Sequence, residues 1–472
     1  MKILVANRGE IALRIMRAAA ELDYQSIAVF SEDDVSSLHT KRADEAIPLK
    51  GIGPLAYLDI EQLIAAARET GCDAIHPGYG FLSENSEFAG RCQEEGITFV
   101  GPRVDTLEIL GDKSQARVLA QKCGISLMSG SLQSVTLEQA REFYSTLGDG
   151  KDMMIKAVSG GGGRGMRIVN AMDELEEAFT RCQSEAKAAF GNEAVYVEQF
   201  MSPARHIEVQ IVGDGNGQVV HLHERECTIQ RNNQKLIEVA PSPGLPTELR
   251  DRLLADAVLL AKEVKYLNLG TFEFVVEADT KRKNASYAFI EANTRLQVEH
   301  TVTEEITGVD LVQIQLQLAA GKTFDELGLD PENPPSPSGF AMQVRVNMET
   351  IEADGSVRPG GGTITAFDPP SGRGVRTDTC GYVGYQTSPN FDSLLAKVIG
   401  FSPSQDFSQT INRTYRALSE FRIEGVRTNI SFLQSLLQHP DFIANRISTG
   451  FVVDHLEELV KMDNTVHQKL FF

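Results

Sequence analysis

Between Glu291 and Glu299 the chain reads Glu-Ala-Asn-Thr-Arg-Leu-Gln-Val-Glu, so Glu291, Asn293, Arg295, Gln297 and Glu299 fall at every second position. Extended backbone would send all five polar groups to one side and Ala, Thr, Leu and Val to the other. A solvated sheet face also alternates, but here two carboxylates bracket one arginine and two amides. That selection suits a site holding a metal, an oxyanion and a proton acceptor. Residues 271–276 set Glu273 against Phe272 and Phe274, which reads as a second glutamate-bearing strand. Antiparallel pairing across the charged turn 279–286 would bring Glu273 beside Glu291. Two carboxylates with room for phosphate oxygens match magnesium better than zinc.

A glycine-rich segment adds a phosphate site. Residues 153–157 form a strand pattern, followed by Ser-Gly-Gly-Gly-Gly-Arg-Gly-Met-Arg over 159–167 and an apolar pair at 168–169. This predicts a hairpin whose tip carries Gly160, Gly161, Gly162, Gly163 and Gly165. A flexible linker is the plain alternative, but linkers are not normally bracketed by strands and charges. Glycine permits close approach of backbone N–H groups to phosphate oxygens, and Lys156 supplies a point charge. The Gly-Lys-Ser/Thr ending of a P-loop is missing, so this is another kind of nucleotide site. Strands are expected over 195–200 and 207–212, with His206, Glu208 and Gln210 on one face. His206 alone would be read as structural; the Glu273 strand favours a role in the site. The stretch Gln230-Arg231-Asn232-Asn233-Gln234-Lys235 reads as a solvated loop.

These groups need a scaffold. Residues 3–6, 9–22 and 26–30 give a strand, a helix and a strand, and the alternation to about residue 110 predicts a parallel sheet. Gly9 alone is far from a dinucleotide fingerprint. The run Pro-Glu-Asn-Pro-Pro-Ser-Pro-Ser from Pro331 marks a boundary, followed by short strands to about residue 399 and then helices. With 472 residues and 42% hydrophobic content the chain can bury a large core. Its 45 basic and 65 acidic side chains give a net charge of −20, which disfavours nucleic acid and anionic membranes as partners. An anionic ligand must be captured by local positive charge. Six scattered cysteines fit reduced intracellular thiols. No segment has the apolar length to span a bilayer, so a cytoplasmic protein is expected, or a mitochondrial matrix protein if a targeting segment has been removed.

The motifs Asn7-Arg8-Gly9-Glu10-Ile11-Ala12, His76-Pro77-Gly78-Tyr79-Gly80-Phe81-Leu82-Ser83-Glu84-Asn85, the glycine loop, residues 291–300 and Thr428-Asn429-Ile430 occur in the order found in biotin carboxylases. Along nearly its whole length the chain resembles that family, the ATP-grasp component of biotin-dependent carboxylases. The resemblance implies a mixed α/β (α+β overall) ATP-grasp fold: an N-terminal parallel-sheet domain over 1–112, an ATP-grasp domain over 113–330 with a lid at about 130–203, and a mainly β C-terminal domain with terminal helices over 331–472.

It also implies ATP, Mg2+ or Mn2+, and biotin carried on a partner domain. Lys113 and Lys156 would hold ATP phosphates under the loop 160–165. Glu198 and Met201 would meet adenine through the backbone, with His206 and Gln230 near the nucleotide. Glu273 and Glu291 would bind the metal with help from Asn293. Bicarbonate would sit among Lys235, Arg295, Gln297 and the Val298 N–H, with Tyr79 and Gly80 lining the bicarbonate and biotin side. Glu299 matches the general base and Arg345 the group that stabilises the biotin enolate. Asn232-Asn233 stands where many members carry Arg-His, Gln199 where a lysine is common, and Thr301 where a proline is usual; the 279–286 turn is longer than in compact bacterial subunits. No Met-Lys-Met acceptor segment is present, so a biotin carboxyl carrier domain and a carboxyltransferase are the expected partners, with a homodimer open. Two other readings stand beside this one: an ATP-grasp enzyme of the carbamoyl-phosphate synthetase type, which has no need for Arg345, and a silent assembly subunit, which should have lost a metal or base residue.

Overall fold

The computed structural model describes residues 1–148, 150–158, 165–280 and 285–463. Its N-terminal part contains β1 (Lys2–Val5), α1 (Gly9–Glu21), β2 (Gln25–Phe30), β3 (Glu45–Pro48), β4 (Ala74–His76) and β5 (Thr98–Phe99). The strands pair in parallel in the order β3-β2-β1-β4-β5. Their short apolar runs are covered on both faces, as parallel strands joined by helices require. The order reverses at β1, so the loops leaving β1 and β4 open side by side at the carboxyl edge of the sheet. Asn7 ties them together, its Nδ2 donating to the carbonyls of Pro77 (2.7 Å) and Tyr79 (2.8 Å). Gly78 has φ +64°, and a Cβ there would come within 2.9 Å of that nitrogen.

A three-stranded sheet follows, with β6 (Met153–Ala157) between β7 (Met166–Val169) and β8 (Val195–Gln199), all antiparallel. The expected hairpin is therefore present at its base, while the tip with Gly160, Gly161, Gly162 and Gly163 lies outside the described residues. Met153, Ile155, Val169, Val195 and Val197 form its core with the helix Leu175–Phe190.

Among the described residues the largest sheet has eight strands. β9 (Ala204–Asp214), β10 (Val219–Arg231), β11 (Gln234–Ala240), β12 (Leu267–Glu277), β13 (Tyr287–Asn293) and β14 (Phe340–Asn347) join the strands Leu394–Ser402 and Val375–Thr379. The order is β13-β12-β9-β10-β11-β14, then Leu394–Ser402 and Val375–Thr379. On one face Ile207, Val209, Phe272, Phe274 and Phe289 pack under the helix Thr247–Glu263. The other face is polar, and the register sets Glu291 opposite Glu273, Glu273 opposite Glu208, and Glu208 opposite Arg225 across four adjacent strands. The sheet runs across the proline-rich segment, because β11 pairs with β14.

Two local expectations fail. Residues 230–235 are a tight hairpin between β10 and β11, with Gln230 opposite Lys235 and Arg231 opposite Gln234. Asn232 and Asn233 take φ +48° and +63°, the left-handed pair of a two-residue type I′ turn that asparagine tolerates. The polar alternation from residue 291 is extended only to Asn293, where β13 ends; the chain then turns irregularly to Glu299, which caps the helix His300–Thr307. Polar alternation beyond Asn293 belongs to a loop rather than to a strand. Among the described residues no helix is long and apolar enough to cross a membrane.

Candidate active site

The cross-strand row of carboxylates needs cations, because like charges facing each other on a strand pair repel. Lys235, at the start of β11, supplies the central one. Its Nζ donates to Glu208 (2.7 Å), Glu273 (3.1 Å) and Glu299 (2.7 Å). Glu291 is compensated separately by Lys113 at 2.7 Å, from the first turn of the helix Lys113–Lys122. Glu273 also accepts from Asn293 Nδ2 (2.7 Å) and Gln297 Nε2 (2.9 Å). His206 completes that cluster: Gln230 Nε2 donates to its Nδ1 (2.6 Å), which leaves Nε2–H to donate to Glu273 at 2.8 Å. Burial pushes the Glu273 carboxyl up, but Lys235 and His206 hold it well below the usual carboxylate range.

Glu299 sits where three chain segments meet. One carboxylate oxygen faces Lys235 and the other accepts from Arg345 Nη2 at 3.1 Å. Burial alone would favour its acid form. Lys235, Arg345 and Arg225 instead keep it well below its ordinary range, so it is a carboxylate at neutral pH. Arg345, on β14, is held from behind by Glu238, which accepts from its Nε at 2.6 Å. Glu238 itself has no exposed side-chain surface, and burial raises it. Arg295 bonds Glu84 (2.9 Å) from the loop after β4 and Asn293 Oδ1 (2.9 Å). The Val298 carbonyl accepts from the buried Lys397 at 3.1 Å. Tyr79 donates to Glu10 and lies within electrostatic reach of Arg345, while Gly80 follows with φ +69°.

A second charged group sits on the three-stranded sheet. Lys156 and Arg117 both pair with the Glu198 carboxylate, Arg117 at 2.8 Å. Lys113 feels the charges of Glu273 and Glu198 as well as Glu291, so lid and sheet groups share one electrostatic field. Met201 is half-buried just past the end of β8. Gly165 closes the hairpin base, its carbonyl accepting from the Ala157 N–H at 2.8 Å.

The arrangement offers an ionised carboxylate flanked by cations, a second cationic cluster for phosphates, and paired carboxylate and amide oxygens of the kind a hard divalent cation takes. Of the residues singled out in the sequence, His206, Gln230, Lys235, Glu273, Asn293, Arg295, Gln297, Glu299 and Arg345 are joined by direct side-chain contacts, and the Lys113–Glu291 pair lies beside them through the register of Glu291 with Glu273. Sequence reasoning missed Arg225, Glu238, Glu84 and Arg117. Arg225 stands in the charged run Glu224-Arg225-Glu226 and Glu238 is a lone charge among Leu236, Ile237, Val239 and Ala240, patterns that do not by themselves mark a site; Glu84 stood inside a quoted motif without a role.

Comparison with known proteins decides what this assembly belongs to. Residues 1–107 match the family model of the biotin carboxylase N-terminal domain, residues 112–327 that of the carbamoyl-phosphate synthase L chain ATP binding domain, and residues 343–454 that of the biotin carboxylase C-terminal domain. The chain belongs to the biotin carboxylase family. It is 46% identical over 460 residues to mitochondrial pyruvate carboxylase of Mus musculus, covering 97% of this chain and 38% of that protein. Against pyruvate carboxylase of Bacillus subtilis the identity is 47% over 457 residues, 96% of this chain and 39% of that one. It thus spans well under half the length of those relatives. The biotin carboxylase domain of a single-chain bacterial carboxylase superposes with TM-score 0.86 at 45% identity, covering 98% of this chain and 99% of that one. A biotin carboxylase domain dimer of the Hydrogenobacter thermophilus 2-oxoglutarate carboxylase, in complex with MgADP, ADP and bicarbonate, gives TM-score 0.90 at 38% identity, covering 97% and 98%. The fold is that of a biotin carboxylase with its ATP-grasp domain.

Proposed function

We propose that this biotin carboxylase uses Glu299 as the general base and Lys235, Arg295, Gln297 and the Val298 N–H to hold bicarbonate, in the first half-reaction of a biotin-dependent carboxylase. The observation that carries this is the Glu299 carboxylate set between Lys235 (2.7 Å) and Arg345 (3.1 Å), buried and ionised. Bicarbonate is a poor nucleophile, so its proton must leave as its oxygen attacks the γ-phosphorus of ATP. Glu299 takes that proton, ADP departs, and carboxyphosphate forms. Lys113 and Lys156 neutralise charge on the phosphate oxygens, and Glu198 and Met201 line the adenine side with His206 and Gln230. Glu273 and Glu291 with Asn293 would hold Mg2+ or Mn2+, and the bound ion supplies charge neutralisation at the phosphoryl group. Their cross-strand pairing and their present neutralisation by lysines fit a divalent cation.

Carboxyphosphate breaks down to carbon dioxide and phosphate; the phosphate takes the ureido proton of biotin, Arg345 stabilises the resulting enolate oxygen, and the ureido nitrogen bonds to carbon dioxide to give carboxybiotin. The hairpin carrying Gly165 closes over the nucleotide, because carboxyphosphate is destroyed by water. Tyr79 and Gly80 line the biotin side. Biotin arrives on a carboxyl carrier domain and leaves to a carboxyltransferase, each on another part of a longer chain or on a separate chain. A second copy of this chain is a further partner, and the setting is the cytoplasm or the mitochondrial matrix. The assay is bicarbonate-dependent ATP cleavage with and without free biotin. Stimulation by biotin is expected; hydrolysis indifferent to both bicarbonate and biotin contradicts the reading.

A further inference from the structure

Beneath the polar face of the large sheet lies a guanidinium that the proposed chemistry does not use. Arg225, on β10, has no exposed side-chain surface, so it reaches no substrate. An arginine offers five N–H donors in a planar fork, and all five are engaged. Nε donates to Glu208 Oε1 (2.5 Å); Nη1 donates to Gln210 Oε1 (2.8 Å) and Thr303 Oγ1 (3.0 Å). Nη2 donates to Thr271 Oγ1 (3.2 Å) and Gln297 Oε1 (2.6 Å).

Two of these bonds settle the geometry of groups that face the reaction. By occupying one oxygen of Glu208, Arg225 leaves the other for Lys235 at 2.7 Å, and Lys235 in turn bonds Glu299. By occupying the Gln297 carbonyl oxygen, it fixes the amide so that Nε2 points to Glu273 at 2.9 Å. A flipped amide would set N–H against guanidinium and oxygen against carboxylate. Gln210, Thr271 and Thr303 are neutral acceptors that hold the fork in its plane.

We infer that Arg225 is a positioning residue of the bicarbonate site, setting Lys235 through Glu208 and Gln297 through its carbonyl oxygen. This inference rests on the reading of the site as a biotin carboxylase centre. A lysine at 225 keeps the charge but concentrates its donors at one point, so it cannot hold Glu208 and Gln297 together.

The test is steady-state kinetics of bicarbonate-dependent ATP cleavage by the full chain, with rates expressed per folded molecule from thermal unfolding. For Arg225→Lys, KM for bicarbonate is expected to rise and kcat to fall by about tenfold or more, the scale for losing a partner that orients a ligating group, while KM for ATP stays within about twofold. Thr303→Val gives an isosteric check, since among the described residues the Thr303 hydroxyl hydrogen-bonds this network through Arg225 alone; its KM for bicarbonate is expected to rise about two- to tenfold, the scale of one hydrogen bond. Should Arg225→Lys fold poorly, Thr303→Val alone decides. Unchanged KM for bicarbonate in folded variants, or equal rises in both KM values, overturns the inference and leaves the functional reading standing. A wild-type chain lacking bicarbonate-dependent cleavage removes both.

Discussion

Replacing Glu299 with glutamine separates loss of the base from loss of the fold, because each cation that faces Glu299 keeps another carboxylate. Removing one partner of a buried ion pair usually costs about 3–5 kcal/mol, since the remaining charge is left alone. Here Lys235 retains Glu208 at 2.7 Å and Glu273 at 3.1 Å, and Arg345 retains Glu238 at 2.6 Å. Neither is orphaned, so the expected loss is on the order of 1 kcal/mol, the scale of a hydrogen bond. In a chain of this size that shifts the unfolding midpoint by a few degrees at most. The chemical loss is much larger: a positioned base contributes about 10²–10⁴-fold, equivalent to roughly 3–5 kcal/mol in the barrier. Bicarbonate-dependent ATP cleavage should therefore fall by about two orders of magnitude or more in a protein that unfolds nearly where wild type does. Activity within about threefold of wild type would refute the role given to Glu299, since no weaker acceptor among its neighbours carries an unshared charge.

Other outcomes follow from the same geometry. Arg345→Ala should spare bicarbonate-dependent ATP cleavage more than formation of carboxybiotin, measured side by side; equal losses would contradict enolate stabilisation by that arginine. Gly165→Ala places a Cβ at φ +67° and 2.9 Å from the Ala157 Cβ. It should destabilise the lid hairpin by about 1–2 kcal/mol and raise KM for ATP, read by thermal unfolding and kinetics; an unchanged KM would count against a closing role for the hairpin base. Burial lowers His39 to about 4, His76 to about 3 and His221 to about 4. Each stays neutral in the fold and takes a proton when unfolded, so the stability it contributes is present above the unfolded value of about 6.5 and is lost as pH falls from there toward 4. Urea unfolding between pH 6.5 and 5 should show stability declining by up to about 1.4 kcal/mol per pH unit for each of these groups. A flat profile would mean that these rings are not buried as described.

The parts of the molecule legible in the sequence are those set by short-range period. The β-α-β start and the hairpin flanking the glycine loop follow from short apolar runs, and the pairing of Glu273 with Glu291 from alternation over a few residues. The parts that were not legible depend on backbone conformation or on contacts far along the chain. Asn232 and Asn233 look like loop composition, yet their left-handed geometry makes the tightest link between two long strands. Arg295, Gln297 and Glu299 keep the alternation of β13 after the strand has ended, because each is fixed by a distant partner. Arg225 meets Gln297 across 72 positions, and no local pattern announces such a bond. The proline-rich segment from Pro331 falls between the family-model matches ending at 327 and starting at 343, and the sheet nonetheless runs across it because β14 adds to β11 by backbone bonds that composition does not encode.

The central claim is that bicarbonate is phosphorylated at the charged cluster of Lys113, Lys235, Glu273 and Glu299. Bicarbonate labelled with oxygen-18 tests it most directly, by mass analysis of the phosphate released during ATP cleavage in unlabelled water. Attack by a bicarbonate oxygen on the γ-phosphorus, followed by breakdown of carboxyphosphate, places one labelled oxygen in each phosphate. Unlabelled phosphate would mean that water attacks ATP directly, and the account of this site would be wrong.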